Sequence, residues 1–219
     1  TMENMIDHTR AVKQGAQRAL VVSDMPFMSY QVSVEQAMTN AGRLIQEGGA
    51  SAIKLEGGAR MADRVQAIVQ AGIPAMGHIG LTPQSVHQFG GYKVQGKNYL
   101  DSRQIKQDAC DLQNAGVFAL VLEGIPGELA EEITTELKIP TIGIGAGSKC
   151  DGQILVLHDL LGLNQDFVPK FVKQYAQLAD SLKNAVTEYI EEVRTETFPG
   201  QEHTYQSKQG KLKQVNDGN

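Results

Sequence analysis

The feature that most limits what this chain can become is an alternation. Short apolar runs suited to buried strands are followed by segments whose apolar residues recur three and four apart, the helical spacing. The runs fall at residues 19–23 (ALVVS), 52–58 (AIKLEGG), 74–77, 118–122 (FALVL), 140–144 and 154–157 (ILVL). Such alternation predicts parallel strands joined by right-handed crossover helices. Nearly every run ends on a polar residue beside Gly or Pro: Asp24, Glu56, His78, Glu123 and Asp159. An open sheet would spread these along an edge. A closed barrel gathers them at one mouth, where (β/α)8 enzymes keep their chemistry. The predicted fold is an α/β barrel of the (β/α)8 type, with about six of the eight strands in this chain.

The helical segments carry their own stop and start signals. Thr1 is placed as the cap of a first helix bearing Met2, Met5, Ile6, Thr9 and Val12. Ser33, with Gln36 three residues on, reads as a capping box ahead of Val34, Ala37, Met38, Ala41, Leu44 and Ile45. Thr82-Pro83 opens another helix, and Ser102 is expected to cap the one carrying Ile105, Ala109 and Leu112. A long helix is expected over 169–195, with Phe171, Tyr175, Leu178, Leu182, Ala185, Tyr189 and Val193 on one face. The expected domain is 1–199, followed by a polar, disordered tail over 200–219. Domains seldom begin at the cap of a packed helix, so upstream residues are expected, about sixty on the scale of a full barrel.

Bulk properties remove several classes of partner. At 219 residues and 41% hydrophobic, the chain can form the core of one large domain. A net charge of −5 argues against nucleic acid, whose phosphates need clustered Lys and Arg. No apolar run approaches the roughly 18 residues of a membrane span, and no secretory signal is visible. Cys110 and Cys150 make no disulfide framework, so a reducing, cytoplasmic setting is expected. No CxxC or HExxH pattern points to zinc.

In the run AIKLEGG, alternation puts Lys54 and Glu56 on one face and Ile53 and Leu55 on the other. Side-by-side burial of a cation and a carboxylate is costly without partners. The pair is either part of a site or a plain internal ion pair. Asp24 and Glu56 are hard oxygen donors from neighbouring strand ends, suited to Mg²⁺ with substrate and water filling its octahedron; the plainer reading is balance of a helix dipole. Lys54 could neutralise a substrate carboxylate or a developing enolate. A Schiff-base role is disfavoured because Glu56 would hold it protonated. Glu123, after an all-apolar run, is expected to have a raised pKa and act as a general base, or else to be a solvated strand end. His78 hydrogen-bonds a substrate oxygen or merely caps its loop. The stretch Gly143-Ile144-Gly145-Ala146-Gly147 fails the dinucleotide fingerprint because Ser148 stands at the third glycine position; close packing at a barrel rim explains it better. Residues 89–96 (FGGYKVQG) are expected to form a mobile loop that covers bound substrate. Cys110 reads as inert core, and Cys150 has no sequence neighbour to activate it.

Several blocks together are similar to the ketopantoate hydroxymethyltransferase (3-methyl-2-oxobutanoate hydroxymethyltransferase) family. They are SDMPFMSY at 23–30, IKLEGG at 53–58, GHIGLTPQS at 77–85, FGGYKVQG at 89–96, LVLEGIP at 120–126, IGIGAG at 142–147 and DGQILVLHDLLGL at 151–163. The resemblance implies a barrel of the phosphoenolpyruvate/pyruvate type and an Mg²⁺-dependent, aldol-type transfer in pantothenate synthesis. The implied substrates are a 2-oxo acid and 5,10-methylenetetrahydrofolate, and the implied assembly is a homo-oligomer, a decamer. It also implies Asp24 and Glu56 as metal ligands, Asp24 and Lys54 as substrate contacts, and Glu123 as the proton-transferring carboxylate. The family's earlier Asp-Ser pair, a further metal and substrate contact, has no counterpart in these residues. A related lyase acting on 2-oxo acids, and an inactive truncated barrel, are the alternatives.

Overall fold

The computed structural model describes residues 1–206, apart from the side chain of Phe89. It divides into two units, residues 1–155 and the part from Val156 onward.

In the first unit the order is α1 (Met2–Gly15), β1 (Val22–Asp24), α2 (Val34–Gln46), β2 (Ala52–Glu56), α3 (Ala62–Gln70) and β3 (Ala75–Gly80). There follow α4 (Val86–Phe89), α5 (Tyr99–Ala115), β4 (Ala119–Glu123), α6 (Gly127–Glu136), β5 (Thr141–Ile144) and β6 (Gly152–Gln153). The strands form one six-stranded sheet in sequential order, and every pairing is parallel. That is the order of a (β/α) barrel wall, six strands of it.

Strand alternation sorts the side chains as the sequence predicts. Ile53, Leu55, Leu120 and Leu122 join Leu44, Val65, Ile68, Leu112 and Ile133 in the core beneath the helices. Ile53 and Leu55 are wholly buried, each stabilising the fold by about 1.5–3 kcal/mol. Asp24, Lys54, Glu56 and His78 are then left for the opposite face. Ser23 is the exception that pins a helix: its hydroxyl lies 2.7 Å from that of Thr9 on α1, both buried.

The caps follow local chemistry. Thr1 Oγ1 accepts the N–H of Asn4, and Ser33 Oγ accepts that of Gln36 at 3.1 Å. The reciprocal half of the box is not made, since Gln36 Oε1 has no partner. Met38, placed on the apolar stripe of α2, is 38% exposed. Helix α5 begins earlier than expected: Asn98, not Ser102, is its cap and accepts the N–H of Asp101 at 2.9 Å. Both are good caps, but only Asn98 has extended backbone, while Ser102 already lies inside the helix.

The last strand is also displaced. It is Gly152–Gln153, not 154–157, and Leu157–Leu160 forms a helix, α7, in the second unit. A short apolar run cannot be told apart as strand or helix by periodicity alone. Asp159 therefore lies on α7 and ends no strand.

In the second unit, α8 spans Leu178–Arg194, shorter than the expected 169–195. It buries no residue of its own. Unsupported by packing, it persists where Ala, Leu, Glu and Lys favour helix and stops short of the stretch containing Pro169, Phe171, Val172 and Tyr175. Backbone bonds from Tyr175 N–H to Leu160 and from Leu178 N–H to Leu161 tie α8 to α7. Of the expected tail, Gln201–His203 forms a 3-10 turn, with Phe198 between Tyr189 and His203; 207–219 lies outside the described residues.

Candidate active site

The strand ends of β1 to β4 bring their charged side chains into one continuous network. In the β1–β2 ladder Asp24 stands opposite Lys54, in β2–β3 Glu56 stands opposite His78, and in β3–β4 Gly80 stands opposite Glu123. Lys54 Nζ lies 2.9 Å from Asp24 Oδ1, 3.7 Å from Glu56 Oε1 and 3.2 Å from His78 Nδ1. His78 Nδ1 is 3.6 Å from Glu56 Oε1, and its Nε2 is 3.1 Å from Glu123 Oε2. The side chains of His78 and Glu56 are 4% and 5% exposed, so these contacts are sheltered from water's screening.

Partners decide the imidazole tautomer. An ammonium has only donors, so facing Lys54 makes Nδ1 the acceptor and leaves the proton on Nε2, toward Glu123. The Nε2–Glu123 approach is close but off the hydrogen-bond axis, and Nε2 has no aligned partner. Glu123 thus stands beside the imidazole without an aligned hydrogen bond to it.

Glu56 is the most constrained carboxylate. Burial pushes its pKa above the ordinary value, while the neighbouring His78 and Lys54 and a hydrogen bond from Gln84 pull it back. Its Oε2 accepts the backbone N–H of Gln84 at 3.0 Å. Burial likewise raises the pKa of Tyr30, whose hydroxyl accepts the backbone N–H of Glu56 at 3.1 Å.

Whether these groups fit a metal ion can be asked of the orphaned atoms. Asp24 Oδ1 is buried and has no hydrogen-bond partner, because Lys54 Nζ approaches it off-axis. With Glu56 it supplies hard oxygen donors on either side of a position already taken by a cation, the ammonium. Among the described residues no group of three or more His, Cys, Asp or Glu closes into a metal cage. Two carboxylates are a partial set of hard oxygen donors, of the kind Mg²⁺ completes with substrate and water.

Three glycines allow close packing around the strand ends. Gly80 has φ +92°, and a Cβ there would stand 2.3 Å from the carbonyl oxygen of Glu123, so only glycine lets β3 and β4 meet at this level. In the run 143–147, a Cβ on Gly143 would meet Cys150 Sγ at 2.9 Å, and one on Gly147 would meet Gly127 Cα at 3.1 Å. This is close packing, as the sequence suggested. Cys150 is a thiol there, its pKa raised by burial.

Every residue singled out from the strand ends of β1 to β4 is in the network: Asp24, Lys54, Glu56, His78 and Glu123. Tyr30 and Gln84 were not foreseen. Their roles depend on contacts across 26 to 54 residues, which no local spacing reveals.

A sequential parallel sheet with its carboxylates, ammonium and imidazole gathered at adjoining strand ends is a barrel-type enzyme site. The family model described as ketopantoate hydroxymethyltransferase matches residues 1–201. The 3-methyl-2-oxobutanoate hydroxymethyltransferase of Clostridium beijerinckii is 58% identical over 98% of this chain and 78% of that protein. The protein of the same name from Thermoanaerobacter sp. is 60% identical over 94% of this chain and 75% of its own length. The chain belongs to the ketopantoate hydroxymethyltransferase family. A crystal structure from Burkholderia cenocepacia, described as a candidate phosphonomutase, superposes with a TM-score of 0.51 over 89% of this chain and 78% of its own. At 15% identity it speaks for the fold alone.

Proposed function

We propose that this chain transfers a hydroxymethyl group from 5,10-methylenetetrahydrofolate to 3-methyl-2-oxobutanoate, giving 2-dehydropantoate in the first step of pantothenate synthesis. The observation that carries the reading is the single network joining Asp24, Lys54, Glu56, His78 and Glu123. Asp24 and Glu56 would hold Mg²⁺, and Asp24 would also touch the substrate. When bound, Mg²⁺ withdraws electron density from the 2-oxo group and makes the C3 proton more acidic.

The residues themselves do the rest. Lys54 binds the 2-oxo acid, and its ammonium offsets the negative charge that grows on the substrate oxygens as C3 loses its proton. Glu123 takes that proton as general base. The carbon so freed forms its new bond to the one-carbon unit of the folate. That unit's bonds to the two folate nitrogens break, water supplies the hydroxyl, and the C3 proton and the remaining water proton end on those nitrogens. His78 sits between Lys54 and Glu123, so its Nε2–H can steady the Glu123 carboxylate while Lys54 is held at Nδ1. A Schiff base at Lys54 is not needed, and its ammonium is flanked by carboxylates on both sides. Assembly into a homo-oligomer, decameric as the family implies, and a cytoplasmic setting belong to the same proposal. Among the described residues no helix is long and apolar enough to cross a membrane.

The test is formation of 2-dehydropantoate from 3-methyl-2-oxobutanoate, with folate and Mg²⁺ each withheld in turn. Product that needs both supports the proposal. Turnover of the 2-oxo acid without folate would make the chain a lyase instead, and no activity restored by Mg²⁺ after EDTA would make it inactive.

A further inference from the structure

Gln84 touches both strand ends that carry the carboxylates of Asp24 and Glu56. It lies in the 3-10 turn Pro83–Ser85 that follows β3. Its backbone N–H donates to Glu56 Oε2 at 3.0 Å. Its side-chain Nε2 donates to the carbonyl of Met25, the residue after Asp24, at 2.9 Å. Its Oε1 lies 2.9 Å from the Tyr30 hydroxyl. Tyr30, only 1% exposed, accepts the backbone N–H of Glu56 through that same hydroxyl. A phenol has a single proton. The contact to Gln84 Oε1 is shorter than the 3.2 Å to the Glu56 carbonyl, so the proton goes to Gln84. The bonds close a ring: Gln84 to Glu56, Glu56 to Tyr30, Tyr30 to Gln84, with one arm to Met25.

The ring answers a need that strand pairing leaves open. The β1–β2 register ends at Asp24 opposite Lys54, and Glu56 extends two residues beyond it. Pairing with Lys54 and with His78 fixes the two backbones but not the rotamer of Glu56 or how far its carboxylate reaches toward Asp24. Gln84 supplies these, holding the backbone on one side and the carboxylate on the other. We propose that Gln84 is a positioning residue that sets the spacing of Asp24 and Glu56 for a divalent cation, with Tyr30 locking its amide in place. This rests on the reading of those two carboxylates as the cation site.

Gln84→Met keeps length and backbone N–H but removes all three side-chain bonds, the third being the 3.5 Å one that Oε1 accepts from Gln31 Nε2. Tyr30→Phe removes one oxygen. Mn²⁺ binding is followed by the loss of the free-ion electron paramagnetic resonance signal, without folate or turnover, in the full chain. Each variant is expected to bind Mn²⁺ about tenfold more weakly, at the lower end of the 10- to 100-fold cost of losing such supporting partners. The double variant is expected to be no worse than about the weaker single one, because both open the same ring. Saturating Mg²⁺ should restore kcat in Tyr30→Phe, which a general loss of structure would not allow. Unfolding curves run alongside, and Tyr30→Phe carries the test should Gln84→Met fail to fold. Native Mn²⁺ affinity in a folded variant overturns the proposal, provided Glu56→Gln has lost it. If Glu56→Gln also binds Mn²⁺ as the native protein does, the cation site itself is elsewhere, and this proposal falls with it.

Discussion

Lys54 Nζ lies 2.9 Å from Asp24 Oδ1, and the two residues stand directly opposite each other across the β1–β2 ladder. The ammonium therefore sits where a cation is wanted, between Asp24 and Glu56. Held there as proposed, a dication would share these carboxylates with Lys54.

Lys54→Met separates those roles. Removal of a charged hydrogen-bond donor is expected to weaken 3-methyl-2-oxobutanoate binding roughly ten- to a hundredfold. Mg²⁺ affinity without substrate should not fall, because a competing cation has gone. Calorimetric titration of each ligand checks this. Equal loss of both affinities would count against a substrate role for Lys54.

Glu56 gives the site a pH signature. Burial raises its folded-state pKa above 4.5, so the folded protein binds this proton more tightly than the unfolded chain. The stability this contributes is full below about 4.5 and is lost as pH rises through the raised value. In EDTA, urea midpoints of the native protein should fall across that window relative to Glu56→Gln, whose side chain does not titrate. Mg²⁺ should recover the native protein and not the variant. Parallel curves for the two proteins would contradict this.

Gly80→Ala tests the junction beneath the base. With φ +92° and a backbone oxygen 2.3 Å from the added Cβ, no rotamer relieves the clash. A loss of about 1–3 kcal/mol in urea unfolding is expected, together with reduced turnover as Glu123 shifts. An unchanged midpoint would show that β3 and β4 tolerate a wider gap.

The stretch 89–96 is proposed to cover bound substrate. In support, the N–H of Gln95 donates to the carbonyl of Gly124, next to Glu123, at 2.9 Å. The 2-oxo acid with Mg²⁺ should slow proteolysis there. Equal cleavage with and without ligand would remove the cover.

The sequence was most readable where burial and charge conflict. Lys54 and Glu56 within an apolar strand had to share partners, and parallel alternation left the other strand ends to supply them. It was least readable where a local pattern suits two states. The run ILVL follows β6 and reaches α7 only at Leu157, and both Asn98 and Ser102 are able caps for α5. Phe171 and Tyr175 keep helical spacing without being helical, because the residues around Pro169 lack the propensity that sustains α8. Tyr30 and Gln84 look like ordinary loop residues until folding brings Gln84 against Met25 and Glu56.

The central claim is that strand-end groups from separate ladders act together on one 2-oxo acid. Its most direct test is exchange of the C3 proton of 3-methyl-2-oxobutanoate for deuterium, followed by NMR without folate. The native protein should exchange it, stop in EDTA and resume with Mg²⁺. Glu123→Gln should bind the acid within a few-fold of native and exchange about 10²–10⁴-fold more slowly. Exchange by Glu123→Gln at the native rate, or exchange indifferent to EDTA, would contradict the account.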